Sequence, residues 1–169
     1  MPIVLAVLIY VPMLVEAAIA ARHERAQRAR GGIEPDADVY RVMRVAYPAA
    51  FALMLAELAW RGRPSAAALT LGALLFAFAK ALKWWAMAAL GPAWTFRVIV
   101  VPGAPIVARG PYRFVRHPNY VGVVGELVGA ALMTDAIVLG PLVTLAFCAL
   151  LMRRIASEER ALGAGRGSG

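Results

Sequence analysis

The chain alternates between long apolar runs and short polar breaks marked by glycine and proline. Runs of about twenty apolar residues suit helices that cross the hydrocarbon core of a bilayer. The first runs from Pro2 to about Ala21, with Glu16 inside it. It has neither a basic leader nor a small-residue cleavage pattern, so a retained helix is expected rather than a signal peptide. A polar loop follows from Arg22 to Asp38, broken at Gly31-Gly32. A second span is predicted over about Val39–Trp60. After the Arg61-Gly62-Arg63-Pro64 turn comes a third, over about Ser65–Leu90, whose Trp84-Trp85 pair suits a membrane interface. Pro92 to His117 is a long connector. Its β-branched runs Val98–Val101 and Ile106-Val107 flank Pro102-Gly103, a pattern compatible with a small hairpin on the membrane surface.

A fourth span is predicted over about Pro118–Met133; it is short, about 24 Å at helical rise. Thr134-Asp135 makes a turn, and a fifth span covers about Ala136–Met152. Arg153–Leu162 can continue as a cytosolic helix, and the glycine-rich Gly163–Gly169 tail is expected to be disordered. The pattern predicts an all-α integral membrane fold of about five transmembrane helices, with residues 1–169 forming one domain.

Composition sharpens this reading. Of 169 residues, 62% are hydrophobic, and mean hydropathy is +0.69, above what a soluble domain of this size carries. The formal net charge is +8. In a soluble protein that excess would point to nucleic acid; here the basic residues flank spans, and membrane topology accounts for them. Arg22, Arg25, Arg28, Arg30, Arg41 and Arg44 lie in or beside the first loop. Arg97, Arg109, Arg113 and Arg116 lie in the connector, and Arg153, Arg154, Arg160 and Arg166 in the tail. The opposite side has only Arg61 and Arg63. The positive-inside rule therefore predicts an external N-terminus and a cytosolic connector and tail. Richness in Ala, Arg and Gly hints at a bacterial source, hence an inner (plasma) membrane. A lone Cys148 excludes an intrachain disulfide, and His23 and His117 have no metal-ligand spacing, so no metal is expected.

The densest chemistry lies where the connector meets the fourth span: Gly110-Pro111-Tyr112-Arg113-Phe114-Val115-Arg116-His117-Pro118-Asn119-Tyr120-Val121-Gly122. Gly110-Pro111 reads as a turn, and Pro118 suits a first helical turn. Arg113, Arg116 and His117 would then gather at a helix N-terminus, which favours anions. On charge alone, an interfacial anchor explains these residues as well. Glu158-Glu159, after the last span, can accept from hydroxyl or ammonium groups, or can be a solvated face with an Arg154–Glu158 pair.

The ordered run Gly-Pro-Tyr-Arg-x-x-Arg-His-Pro-x-Tyr-x-Gly resembles the signature of the isoprenylcysteine carboxyl methyltransferase family. The resemblance begins near Trp84, passes through Trp94-Thr95-x-Arg97 and Val101-Pro102-Gly103-Ala104-Pro105, and reaches Glu158-Glu159. Around Arg97–Pro105 the wording is most similar to bacterial members associated with long-chain polyketide lipids. The resemblance implies an integral-membrane enzyme that uses S-adenosylmethionine, with a cofactor half over about residues 84–162. It implies that Gly110, Pro111 and Tyr112 shape the cofactor pocket, and that Arg113, His117, Pro118 and Tyr120 line it. Ile106 and Val107 would flank adenine, and Glu158 or Glu159 would close the pocket. An aromatic-rich tail is common in the family; here the chain runs Ala161-Leu162-Gly163-Ala164-Gly165 instead.

Glu16, Lys80, Lys83 and Glu126 fall inside spans, where charge is expensive without a partner. Gly122, Gly125 and Gly129 share a face that permits close helix approach. Glu126 points toward the same interface, either as a catalytic carboxylate or as half of an ion pair with a lysine. Glu57 lies near the opposite membrane face, where it is expected to snorkel. The predicted activity is O-methyl transfer to a lipophilic acceptor entering from the bilayer, with His117, Arg116 and Glu126 as catalytic candidates. The acceptor oxygen would belong to an isoprenylcysteine-type carboxylate or to the enol or phenol of an alkyl polyketide. The alternatives are an NADPH-dependent sterol-type reductase, a phospholipid N-methyltransferase and a non-catalytic membrane scaffold.

Overall fold

The computed structural model describes residues 1–34, 39–103 and 107–164, the last four without their side chains. Its helices are α1 (Pro2–Ala29), α2 (Tyr40–Arg61), α3 (Ala66–Leu90), α4 (Pro118–Met133) and α5 (Leu139–Ala164). Single 3-10 turns occupy Gly91–Ala93 and Gly110–Arg113. Four helices are long and apolar enough to cross a membrane; α4 is the shorter fifth. The expected all-helical membrane fold is met, and its span boundaries fall close to those read from the sequence.

Three local expectations fail for physical reasons. The polar stretch after Ala21 contains no breaker before Gly31, so α1 runs on to Ala29 and carries Ile33 alongside the connector. Val100 then exchanges both backbone hydrogen bonds with Ile33, each at 2.9 Å, instead of folding back on Val107. The predicted hairpin is therefore absent among the described residues; Ala104, Pro105 and Ile106 lie outside them. Glu57 does not snorkel. It is 4% exposed, and its carboxylate accepts from the backbone N–H groups of Val138 (3.1 Å) and Leu139 (2.7 Å). It thus caps α5 from a neighbouring helix, satisfying donors that a helix start otherwise leaves open. This cap makes α5 begin at Leu139, three residues later than the hydropathy pattern implied.

Met1 and Pro2 lie beside Gly62 and Arg63, so one end of the bundle holds the N-terminus with the α2–α3 and α4–α5 turns. The other end holds the C-terminal part of α1, the connector, the start of α4 and the end of α5. The basic residues concentrate there. Between the ends, Leu5 and Ile9 of α1, Phe51, Met54 and Leu58 of α2, Phe76 of α3, Leu127 and Ala130 of α4, and Phe147 and Leu151 of α5 form one apolar core.

Helices α3 and α4 run antiparallel with their backbones in contact. A Cβ added at Gly72 would lie 2.2 Å from the Met133 nitrogen, and one at Gly129 2.6 Å from the Phe76 nitrogen. Farther along, Gly125 meets Ala79 and Gly122 meets Lys83. Beside this seam sits a buried cluster of charges. The Lys80 ammonium lies 2.9 Å from Glu16 and 2.8 Å from Glu126; the Lys83 ammonium lies 2.6 Å and 3.4 Å from the same two. The Tyr47 hydroxyl donates to Glu126 at 2.5 Å, and the Trp84 indole donates to Glu16 at 2.8 Å. Both carboxylates are 1% exposed. The pairing anticipated between Glu16 and the lysines is present, and Glu126 shares the same lysines. The cluster joins α1, α2, α3 and α4.

Breaking such a cluster on one side leaves an uncompensated buried charge, whereas removing matched partners is nearly neutral. Lys83→Met is expected to destabilise the protein by about 3–5 kcal/mol, and adding Glu16→Gln should recover part of that loss. Thermal unfolding in detergent measures both; strict additivity would mean the ions are not coupled. Glu57→Ala should cost about 1–3 kcal/mol through the lost α5 cap. Hydrogen exchange at Val138 and Leu139 should rise with it, and unchanged protection there would disprove the cap.

Candidate active site

The connector is short of regular structure but heavily tied. Trp94 is 2% exposed, and its indole donates to Asn119 in the first turn of α4 at 3.2 Å. Its carbonyl lies 2.8 Å from His23 Nδ1, and the Gln27 amide donates to the Pro92 carbonyl at 2.7 Å. Arg97 pairs with Glu34 at 2.6 Å and with Glu24 at 3.6 Å, while Arg28 reaches Glu34 from α1 at 2.5 Å. The polar extension of α1 thus works as a strut against which the connector is fastened. Burial alone would raise the Glu34 carboxyl, but hydrogen bonds and charge from Arg97 and Arg28 hold it below the usual glutamate range.

Downstream, Arg109 donates to the Ala89 carbonyl at 2.8 Å and so closes the end of α3. Gly110 has φ +62°, and an added Cβ would meet the Ala89 methyl at 2.7 Å. Only glycine fits both the left-handed backbone and the close approach. Pro111 is buried, Tyr112 half-buried and Arg113 exposed. Burial, reinforced by the charge of Glu158, pushes the Tyr112 phenol well above its ordinary range, so it remains a neutral donor.

Pro118 stands at the first position of α4, where its missing N–H is harmless. The His117 and Tyr120 rings stack with centroids 5.5 Å apart. Across from them, α5 supplies the acidic pair. The Tyr120 hydroxyl donates to Glu158 at 2.5 Å, and His117 Nε2 lies 3.3 Å from Glu159. Arg116, whose side chain is 88% exposed, is 3.8 Å from Glu159. Arg154 donates to the Tyr120 hydroxyl and to the Phe96 carbonyl, tying α5, α4 and the connector into one corner.

Directly beneath this corner lies an open cavity of about 640 Å³. Arg116, His117 and Tyr120 border one end of it, mostly through carbon atoms; Leu75, Val121, Val124, Val128, Leu151 and Ile155 form its walls. An amphiphile fits such a space, with its polar head at the corner and its apolar tail along the walls.

The structure therefore brings together Arg116, His117, Pro118, Tyr120, Glu158 and Glu159, with Tyr112 within electrostatic reach. Val107 is half-buried in the connector, and Ile106 lies outside the described residues. Glu126 is not in this corner. It stands nine residues beyond His117, about 13 Å along the helix, on the side of α4 that faces the lysines. Sequence reasoning missed Arg154 as a bridge to Tyr120 and Phe96, because a local i,i+4 pair with Glu158 was the simpler pattern. It also missed Glu24, Gln27, His23 and Glu34, whose signal was only a polar stretch without a helix breaker.

Fold and site first define a class: a polytopic helical membrane protein that joins an Arg-His-Pro-x-Tyr helix start to a Glu-Glu segment near its last helix end. The chain belongs to the isoprenylcysteine carboxyl methyltransferase (ICMT) family, whose profile matches residues 71–164. This is a family of S-adenosylmethionine-dependent methyltransferases, and membership supports membrane methyltransferase activity. The chain is 31% identical to the uncharacterized protein YpbQ of Bacillus subtilis (strain 168), over 87% of this chain and 88% of that one. It is 26% identical to an uncharacterized protein of Haemophilus influenzae, over 85% of this chain and 84% of the relative. No solved structure matches the chain significantly.

The Glu34 tie has a defined pH dependence. Its folded pKa lies below the unfolded value, so its contribution is complete above the ordinary carboxylate range and is lost as pH falls through the lower folded value. Glu34→Gln should therefore speed hydrogen exchange over Trp94–Val100 at neutral pH. The difference from the parent should shrink to nothing at the acid end. A difference that persists in acid would remove the ion pair as its cause.

Proposed function

We propose that this protein transfers a methyl group from S-adenosylmethionine to an oxygen of a lipophilic acceptor dissolved in the bilayer. One observation carries the reading: His117 and Tyr120, whose polar atoms meet Glu159 and Glu158, also border an apolar cavity. A charged, water-soluble cofactor and an alkyl acceptor can thus meet at one boundary.

The donor set suits the cofactor. Glu158 and Glu159 can accept from ribose hydroxyls or the ammonium group, Arg113 can meet the carboxylate, and the stacked His117 and Tyr120 rings offer an aromatic surface that tolerates a cation. The half-buried Tyr112 adds a neutral hydroxyl donor. Gly110 and Pro111 set the turn that presents it, and Ile106 and Val107 belong to the same proposed pocket. When bound, the cofactor supplies a methyl group activated on a sulfonium. The protein's own task is orientation and exclusion of water. In this reading Arg116 holds an anionic acceptor oxygen. A carboxylate acceptor needs no base; with a phenol or enol, His117 can hold the released proton at an imidazole nitrogen, opposite Glu159. The acceptors we favour are an isoprenylcysteine-type carboxylate and the enol or phenol of an alkyl polyketide. The basic end of the bundle is read as cytoplasmic, in a bacterial inner membrane, because the cofactor is made in the cytosol and Arg61 and Arg63 mark the other end. The single domain spans residues 1–169, with its cofactor half over about 84–162.

His117→Ala and Glu158→Ala should each weaken S-adenosylmethionine binding by about 1.5–3 kcal/mol, roughly ten- to hundredfold. Calorimetry on purified protein reads this, and parent-like affinity in both variants would take these residues out of the site. A methyl-transfer assay with labelled cofactor should then be run against a prenylcysteine, an alkylpyrone or alkylresorcinol, and phosphatidylethanolamine. Label in the first two classes supports O-methylation, whereas label only in phosphatidylethanolamine makes the protein an N-methyltransferase. Binding of NADPH in place of S-adenosylmethionine would overturn methyl transfer altogether.

A further inference from the structure

The α3–α4 seam has a weakness that the buried charges correct. Gly122, Gly125 and Gly129 recur about once per turn along the face of α4 that touches α3. A helix that slid by one turn, about 5 Å, toward the start of α3 would again set glycines against Ala79, Phe76 and Gly72, though not against Lys83. The opposite face offers Gly72, Phe76, Ala79 and Lys83; after that slip its one large apolar side chain, Phe76, would meet Gly125 in place of Gly129. Steric packing therefore distinguishes poorly between registers one turn apart, and such one-turn ratchets are an available motion of packed helices. Charge distinguishes them sharply. Glu126 meets Lys80 at 2.8 Å and Lys83 at 3.4 Å, and both lysines are held from the other side by Glu16. A one-turn slip would carry Glu126 past one of the two ammonium groups and leave the four charges unevenly matched in hydrocarbon.

We propose that the Glu16–Lys80–Lys83–Glu126 cluster pins the register of α4 against α3, and thereby sets the depth at which His117 and Tyr120 meet the acidic pair of α5. Glu126 is a positioning residue in this account. It lies on the opposite side of α4 from the cavity, whose α4 wall is Tyr120, Val121, Val124, Gly125 and Val128. The consequence for the cofactor rests on the functional reading above; the register itself does not.

Two variants of the full chain separate pinning from chemistry. The first replaces the cluster with apolar residues, as Glu16→Leu/Lys80→Met/Lys83→Met/Glu126→Leu with Tyr47→Phe. The second reverses every charge, as Glu16→Lys/Lys80→Glu/Lys83→Glu/Glu126→Lys, and so keeps each pairing. Register is read from the distance between spin labels at Leu71→Cys and Val121→Cys in a Cys148→Ala background. Leu71 and Val121 are 63% and 50% exposed to the bilayer side, and their axial offset is about 20 Å. The parent and the charge-reversed form should give one narrow distance. The apolar form should give a second distance displaced by about 5 Å, or a distribution that spans both. A single parent-like distance in the apolar form overturns the proposal. If that form does not fold, Lys80→Met/Glu126→Leu takes its place with the same two outcomes, since it leaves the Lys83–Glu16 pair at 2.6 Å.

Affinity for S-adenosylmethionine supplies the second readout. It should fall at least tenfold in the apolar form and return to within about threefold of the parent in the charge-reversed form. Failure of the charge-reversed form to recover affinity, with its label distance restored, would mean that the Glu126 carboxylate itself serves the site, against a positioning role. A parent that shows the expected distances yet binds no S-adenosylmethionine would sink the functional reading alone.

Discussion

Within hydrocarbon, a charge has no water to fall back on, so each must find its counter-charge inside the protein. Here that requirement is met by two lysines on one helix and two glutamates on its neighbours. The lysines stand one turn apart on α3, so a single face of that helix presents two cations to everything packed against it. Glu16 brings α1 to this face, Glu126 brings α4, and the Tyr47 hydroxyl ties α2 to Glu126. Apolar side chains would have filled the same space and could have given equal or greater stability. What ions add is direction: an apolar contact survives a slide along the helix axis, and an ion pair does not. The glycine-lined seam makes that distinction consequential, because close backbone approach removes the side-chain interdigitation that normally fixes register.

The same logic of satisfaction governs the ends of the bundle. Glu57 is buried because the first N–H groups of α5 need an acceptor, and its carboxylate is the one at hand. Arg109 closes the last turn of α3, and His23 and Gln27 occupy connector carbonyls. Loops near a membrane keep their backbone groups satisfied by recruiting side chains from helices that extend beyond the bilayer. The polar continuation of α1 is therefore part of the site's foundation. It holds Trp94, which in turn holds Asn119 beside His117 and Pro118.

Much of this architecture was legible in the sequence. Apolar run length located five helices, most ends within a few residues and the end of α1 eight residues short, since the bilayer sets a length scale for spans and none for a polar extension. The Gly-Pro-Tyr and Arg-His-Pro-x-Tyr runs located the corner of the site, because turn-forming residues and a helix-starting proline have strong local preferences. The coupling of Glu16 to the lysines followed from depth alone. What the sequence concealed was recruitment across long separations. Nothing local marks Glu57 as the cap of a helix some eighty residues later, or Arg154 as the bridge between Tyr120 and the connector. The β-branched run Val98–Val101 invited a hairpin because its propensity was real. The partner was a matter of tertiary geometry, and it was Ile33. Local preference identifies an element's type, and the decision about what it pairs with belongs to the packed structure.

These parts divide α4 into two working sides. One side, with Gly122, Glu126 and Gly129, is committed to α3 and the charge cluster and has no open space. The other, with Tyr120, Val121, Val124 and Val128, walls the cavity. Gly125 lies at the boundary of the two, and the first turn serves both, since His117 and Tyr120 border the cavity while their depth is set by everything along the committed side. A short helix suits this arrangement. At 16 residues α4 cannot span far beyond its contacts, so its start is displaced whenever its register shifts. Variation of the cavity wall can then change which tail is accommodated without disturbing the polar corner. The corner itself depends on charges about 13 Å away that touch neither cofactor nor acceptor.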